Sequence, residues 1–304
     1  MAQCFWNNHL LQEEDPCFNT LYSRGYALGG SPFSSYKSDV HVYSFDTDAT
    51  DVYLSFLSLA RSGCTGVSSS SRGYALGGYN GTKQSLIDGI VFHAETLFIS
   101  AATLPLANGT AAGVESTTNG YQMGGAGWLT DIQGINFATD AAIDPAAVLS
   151  VARSYLSGVN STTRGYAMGG SYVSGRSSDI DGIEFAGETA INPAAVLTVA
   201  RYNSCGLNSA TKGYVLGGFT TSVSKEIDGI DFGTEAAVNP AAQLATASTQ
   251  QAAVNSAAFG AALGGAFTKS DVVKFDFATE AISAGAAALG LPCGNAAGCE
   301  SAAV

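Results

Sequence analysis

Arg72-Gly73-Tyr74-Ala75-Leu76-Gly77-Gly78 decides the fold, because the chain says nearly the same thing six times. The other copies run from Arg24 to Gly30, Asn119 to Gly125, Arg164 to Gly170, Lys212 to Gly218 and Phe259 to Gly265, and the paired glycines fall 48, 47, 45, 48 and 47 residues apart. Such a period marks an array of supersecondary units, none of which can bury its apolar face alone.

Each repeat carries three further parts. A polar loop rich in Gly and Ser follows the double glycine, as in Ser31 to Ser38 and Ser171 to Ser178. Next comes a segment with an apolar residue at every second position: Tyr43 and Phe45, Ile90 and Phe92, Ile135 and Phe137, Ile183 and Phe185, Ile230 and Phe232, Phe275 and Phe277. Period two is the strand period, because successive side chains point to opposite faces. After a turn such as Ala138-Thr139-Asp140, an Ala/Val/Leu segment ends in Ala60-Arg61, Ala152-Arg153 or Ala200-Arg201. Ala and Leu favour a helix over Pro145 to Arg153. A strand is the better reading, since a short helix would find little to pack on in an otherwise β repeat.

A fourth segment, an apolar residue followed two places later by Ser, precedes the glycine-tyrosine strand: Val67-Ser68-Ser69, Val114-Glu115-Ser116, Val159-Asn160-Ser161, Leu207-Asn208-Ser209 and Val254-Asn255-Ser256. Four short strands and their turns consume roughly 45 residues, the size of a propeller blade. Helical repeats of that length would need a 3.6-residue amphipathic period and far fewer glycines. Glycine in a strand costs roughly 0.5–1 kcal/mol relative to Ala, so the paired glycines call for close backbone approach or a positive φ. The tyrosine just before them is suited to fill the wedge between blades while its hydroxyl reaches a polar group.

Composition agrees with an all-β array. The 304 residues include 37 Gly and only 12% charged residues, which suits tight turns rather than long surface helices. A net charge of −12 leaves no basic stripe for phosphate contacts, so nucleic acid is not an expected partner. No basic n-region or apolar h-region opens the sequence, and no run of 18 apolar residues occurs, so a soluble protein without a classical signal peptide or membrane insertion is expected. The six cysteines (Cys4, Cys17, Cys64, Cys205, Cys293, Cys299) show no CxxC spacing and read as small buried thiols, although Cys293 and Cys299 are near enough to close a short loop. Residues 1–22 do not fit the repeat and read as an N-terminal arm; residues 23–304 read as the array.

The order double glycine, Asp39-Val40-His41-Val42-Tyr43-Ser44-Phe45, Thr47, Leu57 to Arg61, an apolar strand, then Tyr74 to Gly78 resembles the kelch repeat of six-bladed β-propellers. The resemblance covers about residues 23–304 and departs from the usual kelch unit in lacking an outer-strand Trp, with Val52, Leu97 and Ala142 in that region. It implies six four-stranded blades in a closed ring. Ala297-Gly298-Cys299-Glu300-Ser301 aligns with Ala112-Gly113-Val114-Glu115-Ser116, so this C-terminal segment is expected to supply the inner strand of the first blade and leave no open edge.

With the apolar-x-Ser strand innermost, strand reversal places the double-glycine loops beside Arg61, Arg153 and Arg201 on one face. Arg24, Arg72, Arg164 and Lys212 then share the other face with the Thr/Asp turns. In a kelch-like propeller the first face usually carries the ligand, so the resemblance makes Arg61, Arg153 and Arg201 candidates for holding an anionic partner with their forked donors. The competing reading has them bridge blades by bonding loop carbonyls. The acidic residues Asp39, Asp88, Asp131, Asp179, Glu226 and Asp271 recur one per blade, which suits turn capping better than the converging oxygens calcium needs. Asp181 with Glu184, and Asp228 with Asp231, repeat across blades and read as scaffold rather than as a glycosidase pair. Three scattered histidines, His9, His41 and His93, suggest no catalytic triad or metal centre, so no enzyme activity, cofactor or metal is expected.

The form "apolar strand, R-G-Y-x-x-G-G, loop, D-G-I-x-F-x-T-E" is also similar to kelch-like repeat proteins of tailed-phage virions. That resemblance implies a non-enzymatic structural or binding propeller in the virion, as capsid decoration or a tail appendage. Its partners would be other virion proteins or copies of itself, and a host surface glycan or protein. The alternative is a bacterial kelch-like module that binds a glycan or a protein.

Overall fold

The computed structural model describes residues 23–31, 35–266, 269–286, 288–292 and 294–301. The expected arm, with Cys4 and Cys17, lies outside them, as does Cys293. The described chain is all β and forms six antiparallel blades on a four-strand plan, the outer strand of blade 3 being split in two.

From the axis outward, blade 1 comprises Ala297–Ser301, Arg24–Gly30, Lys37–Ser44 and Ala49–Phe56. Blade 2 holds Thr65–Ser68, Arg72–Leu76, Gln84–Val91 and Thr96–Asn108. Blade 3 holds Ala112–Glu115, Asn119–Met123 and Leu129–Asn136, with Ala142–Ile143 and Val148–Arg153 both pairing its third strand. Blades 4 to 6 repeat the order with Ser157–Asn160, Cys205–Asn208 and Ala252–Asn255 innermost and Thr189–Ile191, Ala237–Val238 and Ile282–Ala284 outermost. Each inner strand packs beside those of both neighbouring blades, closing the ring into a propeller.

Chain closure uses the chemistry of every other blade. The repeated serine accepts a backbone N–H three residues on, as Ser69 Oγ does from Arg72 and Ser161 Oγ from Arg164, and so fixes the turn between inner and second strands. Ser301 Oγ accepts the Arg24 N–H in the same way across 277 residues of sequence. Arg24 to Leu28 pair antiparallel with Ser301 to Ala297, as the alignment of the C-terminal segment predicts.

Two glycine positions set blade spacing. The paired glycines all have positive φ, 60–69° at the first and 92–137° at the second, so the chain leaves the second strand in a conformation L side chains rarely adopt. The glycine before each tyrosine instead meets the apolar inner-strand residue of the preceding blade: a Cβ on Gly120 would collide with Val67, and one on Gly165 with Val114. The repeated apolar-x-Ser residue thus fills the space that the next blade's glycine leaves.

The Ala/Arg segment is only partly a strand. In blades 4 to 6 only its first two or three residues form a strand, and the remainder is irregular, held beside the third strand by single backbone bonds such as Leu197 N–H to Ser178 O at 2.8 Å. Pro145, Pro193 and Pro240 interrupt the ladder in blades 3 to 5 because proline has no N–H to give. Val148–Arg153 resumes as strand in blade 3, against the helical alternative.

Candidate functional site

Three sets of recurrent polar residues mark the disc: one on each face between blades and one around the axis. On the face of the Thr/Asp turns, the motif tyrosines Tyr26, Tyr74, Tyr121, Tyr166 and Tyr214 are buried. Each stacks on a phenylalanine of the next blade, Phe92, Phe137, Phe185, Phe232 and Phe277 respectively, with centroids 5.4–6.2 Å apart and planes within 5–18°. Each hydroxyl donates to a carboxylate on that next blade: Tyr74 to Asp140 at 2.9 Å, Tyr166 to Glu235 at 3.0 Å, Tyr214 to Glu280 at 2.8 Å. The first motif residue completes the set, as Arg72 pairs with Asp140, Arg164 with Glu235 and Lys212 with Glu280. Asn119 does the same for Glu188 by a hydrogen bond. The carboxylates sit at turn positions with φ between 48° and 54°, which aim them back at the preceding blade. Burial and the adjacent carboxylate push the Tyr74 and Tyr166 hydroxyls up to about 12, so they stay protonated donors.

On the opposite face lie Arg61, Arg153 and Arg201. All three are 0% exposed, so the guanidinium groups are fastened inside the disc instead of being presented to a ligand. Arg61 donates to Gly77 O at 2.7 Å and to Asp88 at 2.6 Å, both in the following blade. Arg153 bonds Gly169 O and pairs with Asp181; Arg201 bonds Gly217 O and pairs with Asp228. The carboxylates take further bonds from Ser58, Ser150 and Thr198. This is the bridging of blades through carbonyls, with a buried ion pair added. Asp88 therefore belongs with Asp181 and Asp228 in the registers opposite Ala75, Ala167 and Val215, and not in one ring with Asp131 and Asp179.

The remaining seams exchange the pair as a unit. Between blades 2 and 3, Asn108 donates to Gly124 O at 2.7 Å and Gln133 replaces the aspartate. Between blades 5 and 6, Ser248 and Val273 stand in the two positions. Where the arginine is absent the carboxylate is absent too, because either charge buried alone is costly. In blade 1 the aspartate register is taken by His41, a buried imidazole whose pKa is lowered by burial.

Around the axis, inner-strand residues alternate. Gly66, Gly113, Gly158, Gly206, Ala253 and Gly298 line one level, and Ser68, Glu115, Asn160, Asn208, Asn255 and Glu300 the next, enclosing about 130 Å³. The side-chain oxygen of one blade accepts the N–H of the blade before it: Glu300 N–H to Ser68 Oγ at 3.0 Å, Asn208 N–H to Asn255 Oδ1 at 3.0 Å. Glu115 accepts from the Ser68 N–H. Burial, with Glu300 nearby, pushes the Glu115 carboxyl up to about 8, and burial pushes Glu300 up to about 7.

At the other mouth a closed circle of backbone hydrogen bonds crosses all six seams. Gly63, Thr110, Tyr155, Asn203, Gln250 and Asn295 each donate to the preceding member's carbonyl at 2.7–3.0 Å, and all have φ between 52° and 64°. No single repeat contains both partners of such a bond, so nothing in the motif spacing announces it.

The exposed tyrosine and tryptophan residues among those described, Tyr79, Trp128, Tyr155 and Tyr172, all lie in the double-glycine loops or the turns beside them. Tyr36 packs edge-on to Tyr79 at 6.0 Å, and Tyr155, Tyr202 and Phe219 form a contiguous row. Among the described residues no group of three or more His, Cys, Asp or Glu is placed to hold a metal ion. Cys64, Cys205 and Cys299 are buried free thiols, and the expected loop to Cys293 lies outside the described residues. Among the described residues no helix is long and apolar enough to cross a membrane. The architecture defines a six-bladed β-propeller with an aromatic face. No protein-family model matches the chain, and no curated protein matches it.

Proposed function

We propose that this propeller is a non-enzymatic binding and structural disc that meets its partner through the face of the double-glycine loops. The observation that carries this reading is the division of labour among its side chains. The recurrent tyrosines, arginines and carboxylates are spent on fastening blade to blade, whereas Tyr79, Trp128, Tyr155, Tyr172 and Val173 stand exposed on one face. Aromatic residues at a surface supply large contact area with a polar handle, and loops on a rigid scaffold are where binding concentrates.

The setting we propose is a virion, with the disc as capsid decoration or a tail appendage that engages other virion proteins or a host surface. The repeat pattern supports it, since a rigid unit with variable loops suits decoration. Tandem mass spectrometry of particles purified from the culture that produces the protein tests this: its peptides co-purify with the particles, or the virion setting fails. The alternative, a bacterial module binding a glycan or protein, is favoured by the aromatic face and predicts a chain free of particles. In either setting, Val173→Arg, at a side chain 78% exposed, leaves thermal unfolding unchanged and abolishes attachment. Undiminished attachment would move the binding surface elsewhere.

A further inference from the structure

On the aromatic face the axis ends in a cup of about 110 Å³, room for roughly four waters at ~30 Å³ each. It is lined by Tyr155, which is 38% exposed and packs on Tyr202 at 5.9 Å, and by the polar residues Thr110, Asn203, Gln250, Gln251 and Asn295. None of the residues lining it carries a charge. Gln251 is only 8% exposed, yet its Oε1 has no hydrogen-bond partner, and neither has Thr110 Oγ1. Both of these atoms are closed to solvent, so the groups the cup offers are the half-buried amides of Asn203, Gln250 and Asn295 beside the Tyr155 ring.

We infer that this cup binds the terminal residue of a neutral glycan. The inference rests on the double-glycine face being the binding face. Amides and hydroxyls offer both donors and acceptors, matching a polyhydroxylated ring, while the tyrosine face meets its C–H surface. The absence of charge selects against uronic and sialic acids. A peptide strand finds no edge here, because the backbone groups of the axial circle are paired with one another. That circle also holds the cup rigid, so little ordering accompanies binding.

The test is saturation-transfer NMR on the full chain with glucose, galactose, mannose and N-acetylglucosamine, beside glucuronic and N-acetylneuraminic acids. At least one neutral sugar receives saturation and the acids do not. Tyr155→Asn, which keeps a residue tolerant of positive φ, weakens that binding about tenfold. Gln251→Leu lies outside the circle and weakens it independently, so the test survives if the first variant does not fold. Silence from every neutral sugar, an equal response from the acids, or unchanged affinity in both folded variants overturns the inference. If the sugars are silent while Val173→Arg still abolishes attachment, the cup assignment fails and the binding face stands.

Discussion

Lys274 of the last blade reaches Asp48 of the first at 3.3 Å, and its ammonium lies 4.3 Å from the Phe259 ring. At this seam the motif reads Phe259-Gly260-Ala261, so both the usual cation and the usual tyrosine are missing. Lys274 stands in register opposite Ala261, where blades 2 to 5 have glycine opposite tyrosine, and occupies the space the small side chain leaves. Tyr43 then supplies the hydroxyl to Asp48 at 2.7 Å. The same trio of cation, hydroxyl and carboxylate is rebuilt from other positions where the ring closes.

Lys274→Gly should therefore loosen the closure. A half-buried ion pair with a cation–π contact supports a loss of about 1–2 kcal/mol, or a fall in Tm of about 2–4 °C. Hydrogen exchange should rise first in Ala297–Ser301 and Arg24–Gly30. Adding Ala261→Tyr restores the arrangement of the other blades and should recover part of the loss; no recovery would mean the two positions are not coupled.

The Arg201–Asp228 pair can be tested against the chain's own precedent, Ser248 with Val273. Asp228→Val alone strands a buried guanidinium and should cost about 3–5 kcal/mol in denaturant unfolding. Arg201→Ser combined with Asp228→Val should cost less than the sum of the single changes, giving a clear coupling energy in the cycle. Additive losses would show that the charges do not sense each other.

Glu115 and Glu300 make stability fall as pH rises. Their folded pKa values, about 8 and about 7, exceed the ordinary carboxylate value, so the folded state binds more protons from about pH 4.5 upward and ionisation opposes folding. The loss accumulates up to about pH 8. Asp48 and Glu280 act oppositely, since hydrogen bonds and their lysine partners hold both below the usual range and their contribution disappears in acid. Thermal unfolding across pH should peak near pH 5. Glu115→Gln with Glu300→Gln should remove the decline between pH 5 and 8 while keeping the acceptor oxygens; a decline that persists would assign it to other groups.

Gly120→Ala should impair folding, because the added methyl drives into Val67 of the preceding blade. Val67→Ala makes room and should restore soluble yield and part of the Tm. Failure of that rescue would place the strain in the backbone instead of at the contact.

The amino-acid sequence by itself determined the number of blades, their four-strand plan, the closure through Ala297–Ser301 and the wedge role of the tyrosines, because all of these follow from a local pattern repeated at a fixed period. It also set Arg61, Arg153 and Arg201 beside the double-glycine loops, whose carbonyls they bond. Whether they would be exposed was not legible, since the burying groups, the carbonyls and aspartates of the next blade, are 14 to 28 residues away and come together only when blades pack. The exchange of Arg–Asp for Asn108–Gln133 and Ser248–Val273 is written in the sequence but becomes readable only with the register known. The axial circle, the channel carboxylates and the aromatic cup were decided by tertiary structure alone. Each is assembled from one residue or a few per blade, brought together by closing the ring and by nothing that neighbours it along the chain.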